Sequence, residues 1–217
     1  LIKGATVLTG TGEMIENADV LMVNGKISAV GQGIEDGSAT VVDGTGKWVT
    51  PGLIDVHSHL GAYPNPSVES HQDGNEMTNP VTAEVWVEHS IWPQDPGFEK
   101  ALAGGITSMQ ILPGSGNLIG GRGVTLKNVS SPTMQGMKFP DAPYGLKMAC
   151  GENPKRVYGG RTEAPMTRMG NMAGYRMAFA EATEYKRAWD KYERDYAAGL
   201  NPEAPERNIQ LDTLKGV

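Results

Sequence analysis

The sequence predicts an α/β protein in which a small antiparallel β segment precedes repeated βα units around a parallel sheet. Up to about residue 50, short β-branched runs alternate with glycine turns, and Asn24-Gly25 separates two of them as in a two-residue hairpin. Pro51-Gly52 ends this pattern, and strand-like runs then alternate with helical stretches. We therefore predict a small antiparallel β domain over residues 1–50 and an α/β domain over residues 51–217.

Single elements of the second domain follow from hydrophobic periodicity. Strand-like apolar runs occur at residues 53–56, 106–112 and 145–149. Helices are predicted near residues 81–91, just before residue 106, from about 171 to 198, where aromatic residues recur at helical spacing, and in the tail. The glycine-rich stretch from Pro113 to Gly123 is predicted to be a shaped loop after the second of these strands.

Composition excludes several classes of function. The chain has 217 residues, 39% of them hydrophobic, which is enough for a packed core. A net charge of -6 without a run of basic residues argues against a nucleic-acid or anionic-membrane partner and favours neutral or cationic small molecules. No apolar run approaches the roughly 20 residues that span a bilayer, and a single cysteine excludes an internal disulfide. Because the chain begins at Leu1 rather than Met, we expect an absent initiator segment or a processed N-terminus, and cytoplasm and periplasm both stay open.

A histidine pair ends the apolar run Leu53–Val56. Residues i and i+2 of a strand point to the same face, so His57 and His59 would present two imidazoles side by side. That arrangement suits two ligands of one metal ion, and zinc accepts imidazole nitrogen at about 2.0–2.1 Å. A pair of hydrogen-bonded core histidines is the alternative.

The segment VTPGLIDVHSHLG, with NGKISAVG before it and ALAGGITSM after it, resembles the opening half of the amidohydrolase superfamily, in particular its imidazolonepropionase-related branch. The resemblance implies the N-terminal half of a (β/α)8 TIM-like barrel, preceded by a small β-sandwich segment. It also implies that His57 and His59 bind one or two divalent metal ions, with zinc as the first expectation.

The same resemblance implies a further ligand, either a glutamate or a carboxylated lysine. Glu152, just beyond the strand at residues 145–149, and Lys147, within that strand, are the two candidates. For substrate binding, the sequence offers four polar residues in loops: Asn117, Arg122, His71 and Arg161. Each of these four has an ordinary structural interpretation as an alternative.

A complete barrel of this kind needs about 250 residues, and only three convincing barrel strands are present. The resemblance implies further histidine ligands and a general-base aspartate from later strands, so we expect a second polypeptide, or a C-terminal portion outside this chain, to supply them, and we expect an oligomer. The predicted reaction is hydrolysis of a C–N bond in a small molecule or short peptide by metal-activated water. A non-catalytic or regulatory subunit with the same fold is the alternative.

Overall fold

A computed structural model describes residues 1–217, and the chain divides into two compact units, residues 1–53 and 54–217. The first unit is a five-stranded sheet in the order β3-β2-β1-β4, with β5 also paired to β1. Its strands are β1 (Ile2–Leu8), β2 (Met14–Val23), β3 (Lys26–Gly31), β4 (Val42–Asp43) and β5 (Trp48–Val49). Ala5, Val7, Ala18 and Val20 form its core.

The predicted hairpin at Asn24-Gly25 connects β2 and β3, and both residues have the positive φ that such a turn requires. Pairing is antiparallel from β1 to β3, whereas β4 and β5 pair parallel with β1. The sheet is therefore mixed, because the chain crosses over after β3 and returns to β1 in the same direction.

The second unit contains a four-stranded sheet in the order β6-β7-β8-β9. Its strands are β6 (Leu53–Ser58), β7 (Ile106–Ile111), β8 (Ile119–Lys127) and β9 (Gly145–Met148). Its helices are α1 (Pro96–Ala103), α2 (Met134–Met137), α3 (Glu152–Gly159), α4 (Arg168–Ala197) and α5 (Ile209–Leu214), and single 3-10 turns occur at Glu69–His71 and Val87–His89. None of these helices has the length and apolarity needed to cross a membrane.

Three sequence predictions were wrong in this unit. The sheet is not the parallel one predicted, because β8 lies between β7 and β9 and runs antiparallel to both. The glycine-rich stretch is only partly a loop, because β8 begins at Ile119. The segment 81–91 is not an α-helix, because it carries one 3-10 turn and runs beside β8 through bridges Val81–Ile119 and Trp86–Arg122. Gly121 permits this approach, since a Cβ there would lie 2.2 Å from the Val85 carbonyl oxygen.

The long aromatic helix was predicted correctly as α4. Thr167 caps its N-terminus by accepting a hydrogen bond from the Gly170 N–H at 3.0 Å. One face of α4, with Tyr175, Ala178 and Ala182, packs in a cluster with Leu118 and Ile119 of the β8 region. This packing holds the chain segment that follows β9 in place, because the Tyr175 hydroxyl donates to the Ala149 carbonyl.

Candidate active site

The two predicted imidazoles come together at the end of β6. The ring centroids of His57 and His59 lie 5.1 Å apart, with the rings nearly perpendicular. The Asp55 carboxylate accepts a hydrogen bond from the His57 backbone N–H at 3.0 Å, which shapes the strand at this point. The two rings therefore lie near each other, as predicted, although β6 ends at Ser58 and His59 is the residue that follows it.

The end of β7 fixes the orientation of His59. Its Nδ1 lies 2.8 Å from the carbonyl oxygen of Leu112, and the Leu112 N–H donates to the Ser58 carbonyl at 2.9 Å. A carbonyl can only accept, so Nδ1 carries the proton and Nε2 keeps a free lone pair when the ring is neutral. Burial lowers the pKa of His59, which favours this neutral form.

Lys147 of β9 reaches the same place. Its Nζ lies 3.0 Å from His57 Nε2, although the two residues are 90 positions apart. The residue is only 8% exposed and no carboxylate lies within salt-bridge distance of its amine. Burial lowers the pKa of Lys147.

Glu152, the other candidate for a further ligand, lies elsewhere. It is the first residue of α3, its side chain is 82% exposed, and its nearest cation is Arg156 at 3.8 Å. No group of three or more His, Cys, Asp or Glu side chains in the chain is arranged to hold a metal ion. The structure therefore brings Lys147, and not Glu152, against the histidine pair.

Two of the four predicted substrate contacts are engaged with neighbouring segments. Asn117 is 1% exposed, and its Nδ2 donates to the carbonyls of Glu76 and Asn79 and to the Thr82 hydroxyl. The Arg122 guanidinium stacks 4.8 Å from the Trp86 ring. Both residues hold the segment before α1 against β8.

The other two predicted contacts lie in loops. The His71 ring lies 5.0 Å from that of Trp92, and its buried Nδ1 has no hydrogen-bond partner. Arg161 donates to the Met77 carbonyl at 2.7 Å and stacks on Tyr158. None of the four forms a hydrogen bond, an ion pair or a ring contact with His57, His59 or Lys147, so a role in substrate binding stays a prediction.

Sequence reasoning missed Tyr63 and the Leu112 carbonyl. The Tyr63 ring stands edge-on to His59, with centroids 5.5 Å apart. The only local signal was a tyrosine four residues after the second histidine, which does not by itself indicate a contact. The contact with the Leu112 carbonyl could not be predicted from the side-chain pattern, since a backbone oxygen is present at every position.

The donor set fits a divalent metal ion in part. Zinc accepts imidazole nitrogen as a ligand; His59 has a free Nε2 lone pair, whereas Nε2 of His57 contacts Lys147. The hydrogen bond from His59 Nδ1 to Leu112 is the kind of outer contact that orients metal-binding histidines. Two imidazoles and one lysine would need an added carboxyl group, or ligands from outside this chain, to complete a catalytic site.

Comparisons with known proteins find similarity to amidohydrolases. No family model matches the chain. A crystal structure of an amidohydrolase from Thermotoga maritima MSB8 matches 99% of this chain and 54% of its own, with a TM-score of 0.87 and 41% identity. The amidohydrolase tasK of Hapsidospora irregularis is 36% identical over 189 residues, which are 80% of this chain and 19% of that protein. A dihydroorotase of Halalkalibacterium halodurans is 38% identical over 113 residues, which are 52% of this chain and 21% of that protein.

The chain therefore spans about half of the Thermotoga amidohydrolase and about a fifth of these two curated relatives. The imidazolonepropionase-related branch stays a prediction, because these relatives carry other names. In sequence and in its mixed α/β fold, the chain is similar to amidohydrolases, which supports the resemblance to that superfamily.

Proposed function

We propose that this chain is the N-terminal part of a metal-dependent amidohydrolase that hydrolyses a C–N bond in an amide, a cyclic amide or a short peptide. The observation that carries the proposal is the convergence of His57, His59 and Lys147, from two strands that are distant in sequence. A dihydroorotase among the relatives makes cyclic amides the first class to test.

Lys147 is the candidate for the further ligand. A buried lysine without a carboxylate partner is costly as an ammonium ion, so its environment favours the amine. An amine adds to carbon dioxide with loss of one proton, and the product is a carbamate with two ligand oxygens. We infer that Lys147 carries this carboxyl group in the metal-loaded protein.

The reaction adds one water molecule across the C–N bond. The water oxygen bonds to the carbonyl carbon, the C–N bond breaks, and the nitrogen leaves with a proton. His57, His59 and the modified Lys147 would hold a divalent metal, which would supply Lewis-acid polarisation and acidify water; zinc is our first choice because the visible ligands are imidazoles. The hydrogen bond to Leu112 keeps the proton of His59 on Nδ1, so that Nε2 retains the lone pair a metal would need.

The general base and the remaining ligands are proposed to come from outside this chain, from a second polypeptide or from a C-terminal portion. Edge strand β6 supports this proposal, since Leu53, Ile54 and Val56 are exposed beside the histidine pair. Exposed apolar strand edges are surfaces for pairing with a further strand. A further strand at this edge would bring its own side chains towards His57.

The test is metal content by elemental analysis of the purified protein, together with its single-residue variants. We expect stoichiometric divalent metal in the wild type and loss of most of it in His57→Ala and Lys147→Met. Glu152→Gln is the matched control and keeps the metal, because its side chain lies in solvent.

Hydrolysis is then followed with dihydroorotate and with short peptides, in the presence of any chain that co-purifies. Metal that remains after substitution of both histidines would overturn the proposed site. A metal-free protein without hydrolytic activity would support the non-catalytic subunit, which has in its favour that this chain contains only part of a ligand set.

A further inference from the structure

The loop after β6 carries a phenol next to the histidine pair. Tyr63 stands edge-on to His59, with ring centroids 5.5 Å apart, and the residue is 41% exposed. Its hydroxyl, at the far end of the same ring, is therefore within the length of a small substrate from His59. Nothing in the donor set for the metal uses this group.

The hydroxyl has one hydrogen bond, and in it the oxygen is the acceptor. Asn75 Nδ2 donates to Tyr63 Oη. The hydroxyl proton has no acceptor in the protein, since Tyr63 takes part in no other side-chain hydrogen bond. A phenol is protonated at neutral pH, so one O–H donor remains available to a ligand.

Two glycine turns hold the ring in one place. A Cβ at Gly74 would lie 2.0 Å from the Tyr63 ring, and a Cβ at Gly114 would lie 2.3 Å from its hydroxyl. The two turns are joined by a hydrogen bond from the Gly114 N–H to the Gly74 carbonyl at 2.7 Å. Asn75 Oδ1 accepts from the Gly116 N–H at 2.9 Å, which fixes the amide that faces the hydroxyl.

Gly120 is close to both the Gly114 turn and Lys147. A Cβ at Gly120 would meet the Gly114 carbonyl oxygen at 3.4 Å and Lys147 Cγ at 3.8 Å. The Tyr63 hydroxyl and Lys147 are therefore connected through Gly114 and Gly120, which are neighbours in space. His59 contacts the same stretch through the Leu112 carbonyl, two residues before Gly114.

We propose that Tyr63 is a catalytic residue whose hydroxyl donates a hydrogen bond to the substrate carbonyl oxygen as negative charge develops there. The inference rests on the proposed function, because it needs an acyl substrate at the His57–His59 site. No proton is transferred by Tyr63. The O–H remains intact while the water oxygen bonds to carbon, and the electron pair of the C=O bond moves to the oxygen that Tyr63 contacts.

The experiment compares Tyr63→Phe with Asn75→Ala in the complete, metal-loaded enzyme. Tyr63→Phe removes only the hydroxyl and keeps the ring against His59 and Gly74. Loss of one oxyanion donor is expected to lower kcat by about 10²–10³-fold with little change in KM. Asn75→Ala keeps the hydroxyl and removes only the tie between the loops, so we expect a decrease of less than about tenfold.

A binding measurement gives a second readout. Methylphosphonate, a small tetrahedral oxyanion, is titrated calorimetrically into both variants, and we expect weaker binding to Tyr63→Phe than to Asn75→Ala. Gly114→Ala is a further variant, because its methyl group would displace both the Asn75 amide and the Tyr63 hydroxyl without deleting either, and it should also lower kcat. Zinc content and thermal unfolding show whether the site and fold are intact in each variant.

The outcomes separate this inference from the proposed function. Equal losses of kcat in Tyr63→Phe and Asn75→Ala would mean that the hydroxyl only ties the loops, and would overturn the inference while hydrolysis stands. A rise in KM alone would overturn it as well. Absence of hydrolysis and of methylphosphonate binding in the wild type would overturn both proposals.

Discussion

Strands β6 and β8 belong to the same sheet and have opposite burial. The β6 sequence LIDVHS is rich in branched apolar residues, yet Ile54 and Val56 are each 70% exposed. The β8 sequence IGGRGVTLK contains three glycines and an arginine, yet Ile119 and Leu126 are fully buried. Hydrophobicity along the chain is therefore a poor guide to burial in this sheet.

Position in the sheet explains the difference. β8 lies between β7 and β9, and Ile119 packs with Leu118 and α4 while Leu126 packs with Met109 and Ile111. β6 is an edge strand with β7 as its only neighbour. An apolar strand at an open edge keeps its surface in water unless another chain segment covers it.

Isoleucine-to-alanine substitution in each of the two strands should give the largest difference in stability. Ile119→Ala removes a fully buried side chain, so we expect a loss of about 2–5 kcal/mol in the free energy of unfolding. Ile54→Ala removes a side chain that is already in water, so the expected change is within about 0.5 kcal/mol. Denaturant unfolding of the isolated chain measures both. Equal losses would contradict the assignment of β6 as an open edge.

Lowering the pH should destabilise the packing of α5 against β8 before it affects β6. Helix α5 buries Leu214 in the cluster that contains Ile119. Asp212 of α5 accepts hydrogen bonds from Lys215, Arg207 and Tyr185, in that order of importance, and they lower its pKa to about 2. A lowered pKa means that this stabilisation is complete above about pH 4 and is lost as the pH falls towards about 2.

We expect the pH dependence to amount to about 1–2 kcal/mol, because the carboxylate is partly exposed and solvent screens it. Asp212→Asn should abolish it. Asp190→Asn is the control, since Asp190 forms an exposed pair with Lys186 and should change the unfolding free energy by less than about 0.5 kcal/mol. The free energy of unfolding is measured between pH 6 and pH 2. If both variants followed the wild type over this range, the assignment to Asp212 would be contradicted.

A charge on β6 should have the smallest effect on stability and a visible effect on association. Ile54→Lys leaves the unfolding free energy within about 0.5 kcal/mol of the wild type, because the position is exposed. It should reduce self-association of the isolated chain, since an edge lysine disfavours pairing between strands. Light scattering measures this, with Ile54→Thr as the uncharged control. Unchanged scattering in Ile54→Lys would show that association uses another surface.

Local patterns were sufficient for several elements. The hairpin at Asn24-Gly25 followed from the turn chemistry of two residues, and α4 followed from the spacing of its aromatic residues. The proximity of His57 and His59 followed from the two-residue period of a strand. Each of these depends on neighbours within one turn or one strand, and that is the range over which backbone geometry acts.

Elements that depend on distant partners were less predictable. The glycines in β8 led to the prediction of a loop. Gly121 lies in a strand, and a larger residue would not fit there because the Val85 carbonyl passes close to it. The segment 81–91 has an apolar spacing that fits a helix, but it runs beside β8 instead. The sequence offered both Glu152 and Lys147 beside the histidine pair, and their side chains differ in burial because β9 faces the pair while α3 begins in solvent.

The histidine pair, the long helix and the hairpin could be predicted from the sequence, because hydrogen bonding and side-chain periodicity are set by neighbouring residues. The contact of Lys147 with His57, the contact of Tyr63 with His59, and the exposure of β6 beside the burial of β8 became known from the folded structure. These facts depend on which strands become neighbours, and strand order is fixed by the summed packing of the whole unit rather than by any one segment.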